Sequence, residues 1–166
     1  MPIPTRYIIL LGSNVGDRME ELRLATEQIS EFIGAPDRLS SVYETAAWGK
    51  TDQGPFLNRV VSGLTRLDAL SVLKEALTAE RIRGRIRGEK WSPRIIDIDL
   101  LFLGDHRMDS PELVLPHPML HLRRFTLVPL CEIFPEFRHP VLGRTIRELL
   151  DAVDDPLPVH LHHATA

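Results

Sequence analysis

The chain has 166 residues, of which 43% are hydrophobic and 26% charged, with a formal net charge of -3 at pH 7. This is the size of one folded domain, too apolar for disorder and too acidic overall for a protein built to wrap nucleic acid. Its one cysteine, Cys131, excludes an intrachain disulfide. No uncharged apolar run nears the roughly 18 residues of a membrane span, and residues 1–6 lack a signal-peptide pattern, so a cytoplasmic protein is expected.

In chain order, residues 7–11 form an apolar run that reads as a strand buried on both faces, ending at the turn cluster Gly12-Ser13-Asn14. Asp17 is placed to cap a helix running to about Ile33, with Leu22, Ala25, Ile29 and Phe32/Ile33 at helical spacing and Gly34 as the stop. Residues 39–45 have weak strand character, 46–55 read as a loop, and 56–67 alternate as a strand. Asp68 caps a second helix with Ala69, Val72, Leu73, Ala76 and Leu77 on one face. Residues 81–93 are basic and glycine-bearing. Residues 94–103 form an apolar strand interrupted by two aspartates, and Gly104-Asp105 marks a turn. A short extended piece, 113–115, leads to Pro116-His117-Pro118. Helices are expected over 125–134, with Pro129 near its start or kinking it, and over 146–153 behind a Thr145 cap.

The order β-α-β-β-α-β followed by extra helices predicts an α+β fold with a ferredoxin-like βαββαβ core and an antiparallel sheet. One domain is expected over 1–155, with 156–166 as a loosely held C-terminal tail. His160, His162 and His163 lie in that tail and read as mobile rather than as metal ligands.

Chemistry concentrates at Lys90-Trp91-Ser92-Pro93-Arg94-Ile95-Ile96-Asp97-Ile98-Asp99. Residues two apart on a strand share a face, so Asp97 and Asp99 point the same way, roughly 7 Å apart. Ile96, Ile98, Leu100 and Phe102 then point to the opposite, buried side. Two carboxylates on an apolar strand repel and lose hydration unless a cation joins them, and a pair of Mg²⁺ ions shared with substrate phosphates meets that need. In isolation, a D-x-D reads more readily as a solvated sheet face paired with arginine. The preceding Arg81, Arg83, Arg85, Arg87, Lys90 and Arg94 shift that balance, because guanidinium groups at this density suit phosphate oxygens. The alternative is a solvated basic loop, which the net acidity makes a poor site for RNA.

Glu80 falls on the apolar stripe of its helix near the helix end. A half-exposed end residue paired with arginine and a ligand role fit that position equally. Phe56 and Asn58 share a strand face, and with Phe125 they form a set suited to a flat heterocycle: the rings stack and the amide reads an edge. A core phenylalanine and a strand-end asparagine are the simpler account of the same residues. Gly49-Lys50-Thr51 is no P-loop, since Glu44 stands where the first glycine belongs, and the glycines after the first strand do not spell G-x-G-x-x-G. Cys131 reads as core.

Together these segments resemble the 6-hydroxymethyl-7,8-dihydropterin pyrophosphokinase family of folate biosynthesis, from Tyr7 to about Leu150. Four landmarks stand in the family's order. The first is Leu11-Gly12-Ser13-Asn14 with Gly16-Asp17, and the second Tyr43-Glu44-Thr45 through Phe56-Leu57-Asn58. The third is Trp91 through Asp99, and the fourth Pro116-His117-Pro118 with Arg123 and Phe125. The resemblance implies pyrophosphoryl transfer from ATP to the pterin hydroxymethyl group, with release of AMP. It implies two Mg²⁺ on Asp97 and Asp99, and Arg85 and Arg94 as the catalytic arginines at the phosphates. Glu80, Arg87, His117 and Arg123 would line the ATP site. Phe56 and Phe125 would stack on the pterin, with Asn58 reading its edge and Thr45 and the Trp48 region contributing contacts. It also implies mobile loops over 46–53 and 83–92 that close on ATP. Ser92 stands where the family usually has glycine or alanine, and Lys90 where it often has arginine. The implied partners are the two small-molecule substrates, with no nucleic acid, membrane or obligate protein partner. A metal-dependent phosphohydrolase using the same D-x-D, and a non-catalytic ligand-sensing module, are the competing readings. The first has no use for the Phe56/Asn58/Phe125 set, and the second no use for aspartates beside six basic residues.

Overall fold

The structure is a computed structural model that describes residues 3–46, 54–84 and 95–163. The elements are β1 (Thr5–Ser13), α1 (Arg18–Phe32), β2 (Pro36–Leu39), β3 (Tyr43–Thr45), β4 (Phe56–Thr65), α2 (Ala69–Ile82) and β5 (Asp97–Leu103). There follow β6 (Met108–Asp109), β7 (Val114–Leu115), a 3-10 turn (Leu120–Leu122), α3 (Arg124–Ile133), α4 (Ile146–Ala152) and β8 (Val159–Leu161).

β1 lies between β5 and β4 and is antiparallel to both. Both of its faces are therefore covered, as the unbroken apolar run requires. Tyr7, Ile9 and Leu11 join Leu22, Ala25 and Ile29 of α1 and Val72, Ala76 and Ala79 of α2 in one core. Ile8 and Leu10 join Leu127 and Leu130 of α3 and Ile146 and Leu149 of α4 in a second core on the other face. The main sheet runs β5-β1-β4-β3-β8, with β2 also paired to β4. With β2 and β3 counted as one interrupted strand, this is the ferredoxin-like order expected from the sequence, with α3 and α4 covering the second face.

The interruption has a local cause. Ser40 N donates to Val60 O and Ser40 Oγ accepts from Val60 N, so a side chain stands in for a backbone carbonyl in the ladder. The weak strand expected over 39–45 is thus two short ones.

A second irregularity overturns one expectation. The β1/β5 register shifts between Ile8 and Ile9, so that Ile8 faces Phe102 but Ile9 faces Leu100. The extra residue reverses side-chain parity beyond it. Ile96, Ile98 and Leu100 point to the α1/α2 core as expected, whereas Phe102 lies in the α3/α4 core with Leu101.

The caps follow the sequence. Asp17 accepts from Glu20 N, Asp68 from Ser71 N, and Thr145 forms a reciprocal capping box with Glu148. Gly34 ends α1, but by close approach rather than by a left-handed turn: a Cβ there would sit 2.1 Å from Leu64 O. Leu77, expected on the packed face of α2, is exposed; the buried stripe continues instead through Ala76, Ala79 and Glu80. The segment after 156, expected to be loosely held, supplies β8, which pairs with β3 at Thr45↔Val159 and Tyr43↔Leu161. Short edge strands of this kind carry little sequence signal, because solvent satisfies one side of their backbone and no apolar alternation is imposed.

Candidate active site

Of the residues singled out in the sequence, Phe56, Asn58, Asp97 and Asp99 fall on the α3/α4 face of the sheet. Register places Asn58 of β4, Gly12 of β1 and Asp97 of β5 in one row, and Asp99 beside Leu10 in the next. Cross-strand partners share a face, and strands lie about 4.8 Å apart, so Asn58 and Asp97 stand roughly 10 Å apart with Gly12 between them. Gly12 has to be small: a Cβ there would come within 2.7 Å of Asn58 Nδ2. Phe56 lies two residues from Asn58 on the same face, opposite Thr45.

Asn58 is only 4% exposed, and its amide is oriented by neighbours. Its Oδ1 accepts from Thr45 Oγ1 at 3.3 Å, and its Nδ2 donates to Leu11 O at 3.4 Å. Thr45 thus orients the Asn58 amide through its side-chain hydroxyl. Phe56 and Phe125 are both partly exposed, Phe56 on the sheet and Phe125 packed against the α3/α4 core.

The two aspartates are held from both flanks. Ser13 Oγ donates to Ile95 O, tying the end of β1 to the residue two before Asp97. Glu80 is 3% exposed and accepts from Ile98 N at 2.8 Å. Among the described residues β5 is a sheet edge with no strand to receive this N–H between the two aspartates, and the α2 carboxylate takes that place. Glu80 therefore fixes the backbone that carries Asp97 and Asp99. Among the described residues no group of three or more His, Cys, Asp or Glu side chains is placed to hold a metal. Two partly exposed carboxylates fit Mg²⁺ that shares its coordination with substrate phosphates and water, rather than a closed protein cage.

Arg123 caps α3 and stands over Phe125, with its guanidinium carbon 5.6 Å from the ring centroid. Burial lowers its pKa, while the Asp99 and Asp155 carboxylates act in the opposite sense. An arginine so placed stays charged and puts a cation near Asp99. His117 closes the other side. Its Nδ1 accepts from Met119 N at 3.2 Å, which leaves the neutral ring an Nε2–H donor. His117, Asp99, Leu73, Ala76, Leu113 and Ser110 line a cleft of about 250 Å³ at the β5 edge. Leu73, Ala76, Ser110 and Leu113 were not singled out in the sequence; the first two belong to an ordinary helical stripe, and Ser110 and Leu113 to an irregular loop.

Burial, aided by Arg123, pushes the His117 imidazole down to about 4; burial, aided by His121, does the same to His139. Unfolded histidine takes up a proton near pH 6.5. Between the two values the unfolded chain binds more protons, so stability rises with pH through that window. The melting temperature is expected to be level above pH 7 and to fall as pH drops from 6.5 toward 4. The interval from 6.5 to 5 is diagnostic, since ordinary carboxylates do not titrate there. A flat melting temperature across it, measured by calorimetry, would contradict the two neutral histidines.

Arg85, Arg87, Arg94 and Trp48, like Lys90 and Ser92, lie outside the described residues. Of the basic stretch, Arg81 is exposed, and Arg83 makes a two-pronged pair with Glu21 of α1, both contacts at 2.8 Å. Arg83 is thus engaged within the fold, which its sequence setting among six cations did not reveal.

A model of the 7,8-dihydro-6-hydroxymethylpterin-pyrophosphokinase family matches residues 8–135. The 2-amino-4-hydroxy-6-hydroxymethyldihydropteridine pyrophosphokinase of Aquifex aeolicus is 41% identical over 138 residues, covering 83% of this chain and 86% of that protein. The same enzyme of Methylorubrum extorquens is 40% identical over 151 residues, covering 90% and 94%. Among solved structures, a Plasmodium falciparum HPPK-DHPS superposes with a TM-score of 0.77 at 19% identity. The match covers 91% of this chain and 46% of that chain, and it shows a shared fold. Family match and relatives define an enzyme of the pyrophosphokinase class that acts in folate biosynthesis. The chain belongs to the 7,8-dihydro-6-hydroxymethylpterin-pyrophosphokinase family.

Proposed function

We propose that the chain transfers the pyrophosphoryl group of ATP to 6-hydroxymethyl-7,8-dihydropterin, releasing AMP, with two Mg²⁺ ions held between Asp97, Asp99 and the phosphates. The observation that supports this reading is the row Asn58–Gly12–Asp97, in which a buried amide and a partly exposed carboxylate share one sheet face with a glycine between them. The pterin lies over Gly12, its ring between Phe56 and Phe125 and its edge against Asn58. The adenine occupies the cleft lined by Leu73, Ala76 and Leu113, with Ser110 and His117 Nε2 as polar contacts. The triphosphate then runs past Asp99 and Arg123.

The hydroxymethyl oxygen attacks the β-phosphorus; the bond between that phosphorus and the bridging oxygen to the α-phosphate breaks, AMP departs, and the hydroxyl proton passes to solvent. Bound Mg²⁺ supplies charge neutralisation at the phosphate oxygens. Arg123 adds a fixed cation there, and Glu80 holds the Asp97–Asp99 backbone so that little reorganisation is needed. Arg85, Arg87 and Arg94 engage the phosphates further, on the strength of the resemblance. No described side chain is placed as a strong base, so positioning carries the rate. The lone cysteine supports a reducing compartment such as the cytoplasm.

Calorimetric titration of a non-hydrolysable ATP analogue tests the metal-linked site. Binding is expected to require Mg²⁺ in the wild type and to lose that requirement in Asp97→Ala. Analogue binding indifferent to Mg²⁺ in both proteins would count against it.

Gly12→Ala tests the pterin floor. The added methyl meets the Asn58 amide, so the amide must shift from its hydrogen bonds with Thr45 Oγ1 and Leu11 O. Displacing one buried hydrogen-bonding group costs about 1–3 kcal/mol, so the pterin KM should rise about 5- to 150-fold. Affinity for the ATP analogue should stay near wild type; an equal loss for both ligands would point to general disruption.

A further inference from the structure

α3 begins with two residues to which the site reading gives different substrates: Arg123, at its N-cap position, acts electrostatically with Asp99 and is assigned to the nucleotide, and Phe125 is assigned to the pterin. The helix has no capping side chain of its own, because Arg123 offers no acceptor, and its first turn holds no acidic residue. The missing acceptor comes from 31 residues away. Asp155, 5% exposed, accepts from Arg124 N through Oδ2 at 3.0 Å, and its backbone carbonyl accepts from Arg124 Nε at 3.0 Å. Its Oδ1 accepts from Leu157 N at 3.0 Å across Pro156, a local turn that fixes the carboxylate. Beyond that turn the chain enters β8, whose Val159 pairs with Thr45, the residue that orients the Asn58 amide.

We propose that Asp155 is a positioning residue of the active site: it caps α3 and thereby aims Arg123 and Phe125 together at the nucleotide and the pterin. The inference rests on the site reading above and adds to it a residue that touches neither substrate. The physical argument has two parts. A carboxylate at a helix N-terminus satisfies an otherwise orphaned N–H and is favoured by the helix dipole. Arg124, the residue it grips, lies between Arg123 and Phe125, and the Arg123 guanidinium carbon lies 5.6 Å over the Phe125 ring centroid, so a shift of the helix start reaches both side chains. Releasing the grip therefore disturbs both substrates at once, unlike a change in either pocket alone.

The test compares Asp155→Ala, Asp155→Asn, Phe125→Ala and Leu149→Ala in the full chain, well below each melting temperature. Leu149 is buried in the α4 side of the same core and serves as the destabilised control. Small misplacements of aligned groups cost up to about 100-fold, so Asp155→Ala is expected to lose about 10- to 100-fold in kcat/KM. Its KM should rise for pterin and for ATP alike. Asp155→Asn, which keeps one acceptor oxygen, should fall between Asp155→Ala and wild type. Phe125→Ala should raise the pterin KM far more than the ATP KM, and Leu149→Ala should lower the melting temperature with both KM values unchanged. Wild-type KM values in Asp155→Ala while Phe125→Ala shows its pterin defect would overturn the anchor and leave the site standing. No defect in Phe125→Ala would overturn the site reading and this inference with it. Matching KM changes in Asp155→Ala and Leu149→Ala would reduce Asp155 to a stabilising residue and overturn the proposal.

Discussion

Asp97→Ala is expected to lower turnover by about a thousandfold or more while the protein stays folded. The reasoning starts from charge. Phosphoryl transfer concentrates negative charge on oxygens that a divalent cation neutralises, a contribution of several kcal/mol, and about 1.36 kcal/mol corresponds to each factor of ten in rate. Removing one of two aspartates on the same strand face also relieves their mutual repulsion, so no stability is lost on that account. Asp99→Ala should lose comparable activity but behave differently in a melting experiment. The Asp99 carboxylate, together with Asp155, offsets the desolvation of the half-buried Arg123 guanidinium. Asp99→Ala should therefore melt lower than Asp97→Ala. Steady-state rates and thermal scans on the two variants give the result; near-normal turnover in both at ordinary Mg²⁺ concentration would remove the two-carboxylate site.

Phe125→Ala is expected to weaken pterin binding by about 1–3 kcal/mol, the range of base–aromatic stacking, which is about 5- to 150-fold in affinity. Phe125 is partly exposed at the start of α3, so truncation opens no sealed core cavity, and a large stability loss is not expected. Affinity for the ATP analogue should change far less, with one qualification that follows from geometry. Arg123 lies over the same ring, so its guanidinium gains freedom when the ring is removed, and a small loss toward the nucleotide is part of the expectation. Calorimetry with each ligand separately distinguishes this from a structural role, for which both affinities would fall together.

The parts of this molecule that were legible in its sequence are those where one local rule acts alone. An apolar run without polar interruption had to be a central strand, and β1 is one. Asp17, Asp68 and Thr145 each stand one residue before a helical stripe, and each caps as expected. The pairing of Asp97 with Asp99 on one face needed only the strand period. What the sequence did not disclose depends on long-range register or on groups far apart in the chain. Phe102 lies on the face opposite to the expected one because the β1/β5 ladder bulges immediately before it, and no residue type marks the bulge. Arg83 looked like one cation among six, and its Glu21 partner lies 62 residues earlier. Glu80 stood level between an end-of-helix pair and a ligand. Its partner is the edge N–H of Ile98, visible only once β5 is known to be a sheet edge. Asp155 gave no signal at all, because an Asp-Pro in a C-terminal segment reads as a turn, and the helix it caps begins 31 residues away.

The central claim is that one sheet face joins a pterin site to a phosphate site so that pyrophosphate passes from ATP to the pterin. Phosphorus NMR of a reaction containing the protein, ATP, Mg²⁺ and 6-hydroxymethyl-7,8-dihydropterin addresses it most directly. The account predicts AMP and pterin diphosphate appearing in equal amounts, with no ATP consumed when the pterin is left out. Release of ADP, or of AMP and pyrophosphate at the same rate without the pterin, would contradict it.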